Sequence, residues 1–278
     1  MKADVIVASS YTFLLPLAKP RGQQYDIILP MRFLEGIGET RKGELLKQLR
    51  AVWTHDSTAI EGNTLTLGDT MFVLGYGLTV KGKPLKDQTD VQNHARAIDA
   101  VLELVGRGQL AEEDVFRLHR LVINEQPADI YKPVGAYKRE DNGTYWPNER
   151  GGSTYHAYLS ADEVPAAMAG WIAEFNGFYR AEATEEELVD AYARTHVGFT
   201  SIHPFYDGNG RLARLLSNLP VLYAGLPPIV IPAESREDYL KALWDYERGN
   251  ADLTSLKDLV RASWKTTLDL VAEARCGK

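Results

Sequence analysis

One residue in 278 is cysteine, Cys276, so no disulfide can close within the chain and no cysteine-based metal cluster is available. Such cysteine poverty fits a reducing compartment and makes a cytoplasmic location the expectation. Basic charge is also scarce. Lys and Arg number 31 against 38 Asp and Glu, a formal net charge of −7. That balance argues against a surface built to hold nucleic acid, whose non-specific affinity comes from cations neutralising phosphates. Long apolar runs are missing too. The mildly apolar stretch from Val5 to Leu17 contains Ser9, Ser10 and Thr12, follows Asp4 and has no cationic lead beyond Lys2, so it does not read as a signal peptide. Nothing approaches the roughly 18 to 20 apolar residues of a membrane helix. Neither a membrane nor nucleic acid is an expected partner. His55, His94, His119 and His196 lack the paired spacing with carboxylates that a zinc site needs and are read as structural. Solenoid repeats and low-complexity tracts are absent, and no Ser or Cys nucleophile motif stands out.

What remains is an ordinary apolar content of 45% with 25% charged residues, enough for a substantial core. Residues 1 to about 40 are punctuated by Pro16, Pro20, Pro30, Gly22, Gly36 and Gly38 and read as an irregular arm with short helical pieces. Apolar residues at three-and-four spacing then predict helices over Glu44–Ile60, Thr70–Leu78, Val91–Leu104, Glu112–Ile123, Ala161–Phe178, Glu185–Ser201, Gly210–Tyr223, Ser235–Tyr246 and Thr254–Ala274. Between Pro133 and His156 the pattern changes to turn residues alternating with aromatics, and Asn142-Gly143 is the strongest single hairpin signal. An all-α body with one β-hairpin is therefore expected. The run Glu185, Glu186, Glu187 falls where a helix begins and suits the positive end of its dipole. The methionines and tryptophans are expected in the core.

Residues 203 to 214 read His-Pro-Phe-Tyr-Asp-Gly-Asn-Gly-Arg-Leu-Ala-Arg. Pro204 forces His203 out of helical geometry, which holds the imidazole at a helix end. Gly208, Asn209 and Gly210 form a flexible turn before an apolar helix, where several N–H groups and the positive helix end can face one phosphate. Arg211 and Arg214, three apart, share a helix face within reach of the same polyphosphate. Asp207 can hold Mg2+, which takes one or two carboxylates together with phosphate oxygens and water. A histidine can accept a proton from an attacking hydroxyl near neutral pH. Each part alone is more often a plain structural feature. Together within twelve residues they are not, because a turn needs no base, no metal carboxylate and no pair of arginines.

This stretch resembles the signature of the Fic (Fido) family, His-Pro-Phe-x-(Asp/Glu)-Gly-Asn-Gly-Arg-x-x-Arg, with every specified position matched. The likeness extends over roughly residues 57–260, including Asp114 to Arg120, Val164 to Met168, and Leu219 through Pro228 with the following Asp238-Tyr239. It implies a helical core with a β-hairpin flap and an N-terminal helical inhibitory region. The chain would then divide into an arm (1–43), a helical region with the inhibitory motif (44–108), a catalytic core (109–265) and a tail (266–278). The resemblance further implies a protein adenylyltransferase that moves AMP from ATP to a Ser, Thr or Tyr hydroxyl of a target protein. His203 would be its base, Asp207 the Mg2+ ligand, Gly208, Asn209 and Gly210 the phosphate cradle, and Arg211 and Arg214 the terminal clamps. Residues 57 to 62, Ser-Thr-Ala-Ile-Glu-Gly, match the family's inhibitory pattern. Ser57 and Glu61 share a helix face before Gly62 breaks it, and Glu61 would pair with Arg214. The flap, longer here by the 141–147 stretch, would dock the target by strand addition. By position Ser153, Thr154, Tyr155 and His156 would lie nearest the nucleotide, and Tyr239, Leu240 and Glu247 would line the adenine pocket. A homodimer is the family expectation. Two other readings stay open: removal of AMP by the same site, and a regulatory binding module with suppressed catalysis.

Overall fold

Side chains that satisfy free backbone N–H groups set where two of the helices begin, those over Leu67–Tyr76 and Glu185–Ile202. The computed structural model describes residues 31–123, 132–147, 151–250 and 252–276. The expected arm enters this range only at Met31, and its residues 1–30 lie outside it. Arg32–Leu34 forms a 3-10 turn pinned by two bonds of 2.6 Å from the Arg32 guanidinium to the carbonyls of Ala181 and Ala224. Helix α1 spans Glu39–Ala59 and starts before the expected Glu44, with Lys42 paired to Glu39 in its first turn at 2.7 Å. Helix α2, Leu67–Tyr76, starts early as well, because Thr66 and Asp69 form a reciprocal capping box. Its C-terminus is closed by Gly77 in the left-handed conformation.

Helices α3 (Leu85–Val105) and α4 (Glu112–Ile123) lead to the hairpin, in which β1 (Gly143–Pro147) pairs antiparallel with β2 (Ser153–Ala157). Asn142-Gly143 is not the hairpin tip. Gly143 opens β1 opposite Ala157, where a Cβ would run into the His156 carbonyl. Tertiary contact overrides the turn signal there, since the Asn142 amide donates to Phe205 O and accepts from Lys138 Nζ.

Helices α5 (Val164–Asn176) and α6 (Glu185–Ile202) follow. Of the acidic run, Glu187 caps α6 in a second capping box with Thr184. The expected single helix over Gly210–Tyr223 is two helices, α7 (Asn209–Leu216) and α8 (Leu219–Tyr223). Pro220 cannot continue the ladder, and the fully buried Asn218 amide bonds Arg214 O and both backbone groups of Ile229 instead. Helices α9 (Arg236–Asp245) and α10 (Thr254–Cys276) complete the chain, α10 running unbroken through residue 266.

Two apolar clusters flank α6 and α7. One joins α3, α4 and α5 to Phe199, Phe205 and Leu212, and the other joins the outer face of α6 to α8, α9 and α10. Met168 and four tryptophans, Trp53, Trp146, Trp171 and Trp264, are buried in keeping with expectation, whereas Met71 projects from α2 into solvent. The fold is therefore all-α with one hairpin flap, and no described helix is long and apolar enough to cross a membrane.

Candidate functional site

The end of α6 and the start of α7 meet at residues 203–210. His203 is the sole described non-glycine residue with positive φ (50°), a conformation that costs about 1–3 kcal/mol and persists where surrounding structure over-determines it. Its N–H still closes the last turn of α6 on Phe199 O at 3.0 Å, so a helix end forced upward by Pro204 fixes the direction of the imidazole. Burial, then the nearby Lys138 ammonium, push the ring's pKa down to about 3, against an opposing hydrogen bond to the Thr200 backbone and the charge of Asp207. The ring is thus held neutral.

Gly208, at φ 82°, caps α7. Gly208 N–H donates to Asp207 Oδ1 at 2.6 Å, and the same oxygen accepts from Arg211 at 3.0 Å. Burial alone would raise the Asp207 carboxyl, but Arg211 and the Gly208 N–H outweigh it and hold the pKa below the usual value. The Asp207 side chain is 74% exposed. Asn209 faces inward, its amide spent on both backbone groups of Phe205, which it bonds at 3.0 and 2.8 Å. The turn is braced by this side chain.

Arg214 is buried at the centre of the site with every nitrogen occupied. Nε donates to Ser57 Oγ (3.0 Å), one terminal nitrogen to Tyr239 Oη (3.1 Å), and the other to Ser57 O and Glu61 Oε1, both at 2.7 Å. Burial works against its charge, yet Tyr239 and Glu61 more than offset this and hold the guanidinium firmly protonated. Tyr239 lies 3.0 Å from Nε2 of the buried His196. Because the hydroxyl already accepts from Arg214, it donates to His196 Nε2, and burial followed by the Arg214 charge keeps that ring neutral, its pKa down to about 3. Glu61 reaches this network from the end of α1, just ahead of Gly62 at φ 93°. Its carboxylate sits where a side chain on Gly210 would be, 2.5 Å from an ideal Cβ.

A pocket of 370 Å³ opens beside this network, lined by Glu61, Gly210, His203, Tyr239, Leu240 and Glu247, with Arg236, Trp244 and the flap residues Thr144, Tyr145, Trp146 and Tyr158 closing it. On the other side of His203 a cleft of 540 Å³ runs past His119, Asn142, Thr144, Tyr158 and Asp207. A third hollow of 210 Å³ joins Glu61, Asp207 and Arg211 to Lys86 and Asp90 of α3. The motif residues, Ser57, Glu61, Tyr239, Leu240 and Glu247 thus converge on one region. Ser153, Thr154 and Tyr155 lie exposed on β2. His156 approaches from the flap, its Nε2 3.0 Å from Glu247 Oε2 and its ring stacked on Trp146. The β1 residues and Tyr158, which line the pocket, are not separable from other flap aromatics by sequence pattern, since only the strand register decides which ring faces inward.

Residues 109–221 match the model of the Fic/DOC family. Those residues form a Fic/DOC family domain. Among curated proteins, the Fic domain is similar to protein adenylyltransferase fic-1 of Caenorhabditis briggsae, 31% identical over 207 residues, covering 72% of this chain and 37% of the relative. The corresponding protein of Caenorhabditis elegans is 28% identical over the same shares. The chain therefore spans little more than a third of the curated relatives it matches. Its fold superposes on a Fic domain containing signaling protein from Bacteroides thetaiotaomicron with a TM-score of 0.77 and 26% identity, covering 91% of this chain and 96% of that one. It also superposes on Fic-1 from C. elegans, with a TM-score of 0.67 and 23% identity, covering 88% of this chain and 69% of that one, a likeness of fold.

Proposed function

We propose that this Fic protein transfers AMP from ATP to a hydroxyl of a target protein, and that Glu61 holds it back. The observation that carries this reading is that a neutral imidazole and the Glu61 carboxylate line one 370 Å³ pocket, and that this carboxylate accepts from the buried, fully bonded Arg214. The triphosphate lies over the α7 N-terminus, where the N–H groups beside Gly208 and Gly210 meet its oxygens. Arg211 and Arg214 take its terminal phosphates as charge-assisted, two-pronged partners. The base enters the apolar end of the pocket near Leu240 and Trp244, with Glu247 at its edge.

The target hydroxyl approaches through the 540 Å³ cleft, and its oxygen bonds the α-phosphorus as the bond to the β-phosphate oxygen breaks. His203 takes the hydroxyl proton, and pyrophosphate leaves with the electron pair of the broken bond. The exposed Asp207 carboxylate suits Mg2+, which needs one or two carboxylates when phosphates and water supply its other ligands. Bound there, the ion would neutralise charge developing on the departing pyrophosphate. The target segment adds as a strand to the open edge of the β1–β2 hairpin.

Arg214 cannot serve Glu61 and a γ-phosphate at once, so the resting enzyme holds ATP unproductively. A second reading, removal of AMP, draws on one feature: the Glu61 side chain is 43% exposed and lines the same pocket as His203, where it can orient a water. The deciding test is incubation of wild type, Glu61→Gly and His203→Ala with α-labelled ATP, magnesium and a cell lysate. Label on protein, strongest with Glu61→Gly and absent with His203→Ala, is the expected result. Label in none of the three sinks the reading. Release of AMP from a modified protein by wild type, lost in both variants, selects the second reading instead.

A further inference from the structure

The ring of His203 is not held by its backbone alone. The torsion that spins an imidazole about its Cβ–Cγ bond is broad and two-fold, so a histidine at a helix end has a defined position and a loosely defined plane. Two contacts remove that freedom here. One is the hydrogen bond between the ring and the Thr200 backbone. The other is Tyr158, whose ring lies flat on the imidazole, centroids 3.6 Å apart and planes within 5°.

Tyr158 is itself tied to the flap. Its N–H bonds Asn142 O at 3.0 Å, and its hydroxyl bonds the Thr144 side chain on β1. Burial, with the charge of Glu247, pushes the phenol up to about 12, so it stays neutral. His156 of β2 meets its ring edge-on at 5.4 Å, and Trp146 of β1 stacks on His156 at 3.7 Å. A continuous series of rings thus runs from both flap strands to the imidazole. Lys138, 3% exposed, stands over the Tyr158 ring at 5.9 Å. Its backbone N–H bonds Pro204 O at 2.9 Å and its ammonium bonds Asn142 at 2.6 Å, which stitches the flap stem to the motif loop.

We propose that Tyr158 is a positioning residue that sets the plane of the His203 imidazole and couples it to the flap, an inference that rests on reading His203 as the base. Tyr158 also lines both the 370 Å³ pocket and the 540 Å³ cleft, so its ring stands where nucleotide and target hydroxyl must meet. Misplacing a reacting group by about 1 Å can cost on the order of 100-fold in rate, and loss of this stack releases the imidazole by that kind of amount.

The test joins a spectroscopic arm to a kinetic one, with wild type, Tyr158→Phe and Tyr158→Leu in the full chain. In the proton NMR spectrum the His203 Cε1–H signal, assigned by its loss in His203→Ala, is expected upfield of ordinary imidazoles because it lies over an aromatic face. Tyr158→Phe keeps that shift and Tyr158→Leu returns it to the ordinary range. In the Glu61→Gly background, Tyr158→Leu lowers kcat for AMP transfer by roughly 100-fold while KM for ATP stays within about twofold, and Tyr158→Phe restores most of the rate. An ordinary His203 signal in wild type overturns the proposal, and so do equal rates for the Phe and Leu variants. Should Tyr158→Leu not fold, nuclear Overhauser contacts between the two rings of the wild type decide, present for the proposal and absent against it. If the NMR shifts behave as stated but no variant transfers AMP, the reading of the activity falls and the positioning role stands.

Discussion

Arg214 spends its whole guanidinium on bonds within the fold. Four acceptors surround it, two from Ser57, one from Tyr239 and one from Glu61. Only the Glu61 carboxylate is substantially exposed and free to be replaced. Glu61→Gly is therefore expected to raise AMP transfer by roughly 5- to 150-fold, the usual span of an inhibitory coupling, read as label incorporated per minute at saturating ATP. An unchanged rate removes Glu61 from the account. The stability cost of the same substitution is small, about 1 kcal/mol or less, because the Glu61 end of the pair is 43% exposed, which screens its Coulomb energy, and three bonds to the buried Arg214 remain. Tyr239→Phe has the opposite profile. It takes the acceptor from one buried Arg214 nitrogen and the donor from buried His196, and leaving a buried polar group unpaired costs about 1–3 kcal/mol each. Urea unfolding should register that loss, and a midpoint equal to wild type would mean that neither bond matters to the folded state.

At the scale of elements, the break between α7 and α8 holds the site together. Asn218 accepts from Ile229 N–H at 2.7 Å and donates to Ile229 O and Arg214 O at 2.9 Å, all without solvent. It ties the end of the arginine helix to the strand-like segment before α9, and so fixes Arg214 relative to Tyr239. Asn218→Ala strands the Ile229 N–H in an apolar interior and is expected to cost at least 2 kcal/mol, on the order of one unpaired group plus a lost bond. Denaturant titration checks this, and a loss under about 0.5 kcal/mol would show that the segment finds other partners. The hairpin offers the complementary lesson. Asn142-Gly143 carries the composition of a tight turn, yet both residues serve as a stem, because Phe205 O and Lys138 recruit the asparagine and the closeness of β2 requires the glycine.

Over the whole molecule, several buried histidines make the fold sensitive to acid. The pKa of His119 is down to about 4, and those of His196 and His203 to about 3, from an ordinary 6.5, with burial the first cause in each. His94 is shifted the same way by burial and by Arg214 and Arg211. For His119, His196 and His203 the unfolded chain takes up the proton near pH 6.5 and the folded one only near pH 3 to 4. Stability is therefore complete above about pH 6.5 and declines as pH falls toward 4. The urea midpoint should drop steadily between pH 7 and pH 4.5, before ordinary carboxylates titrate, and His196→Gln should flatten that slope. A midpoint constant over this interval would contradict the buried, neutral state of these rings.

Much of this was legible in the sequence because it depends on local spacing. Helix periodicity placed α4, α6 and α10 to within a residue or two, since apolar residues at three-and-four intervals are meaningful before any tertiary contact forms. The stretch from His203 to Arg214 stood out for the same reason: a helix entrance, two glycines and two arginines on one face are consequences of a few consecutive residues. Ser57 and Glu61 were likewise visible as a pair one turn apart. What no spacing encodes is which side chain meets which across the fold. That Tyr239 and not another tyrosine bonds Arg214, that Asn209 braces Phe205, and that Tyr158 lies flat on His203 were decided when α9, α7 and the flap packed on the end of α6. Contacts of that kind join residues tens of positions apart, and burial alone makes them strong, by removing the water that would otherwise compete for each bond.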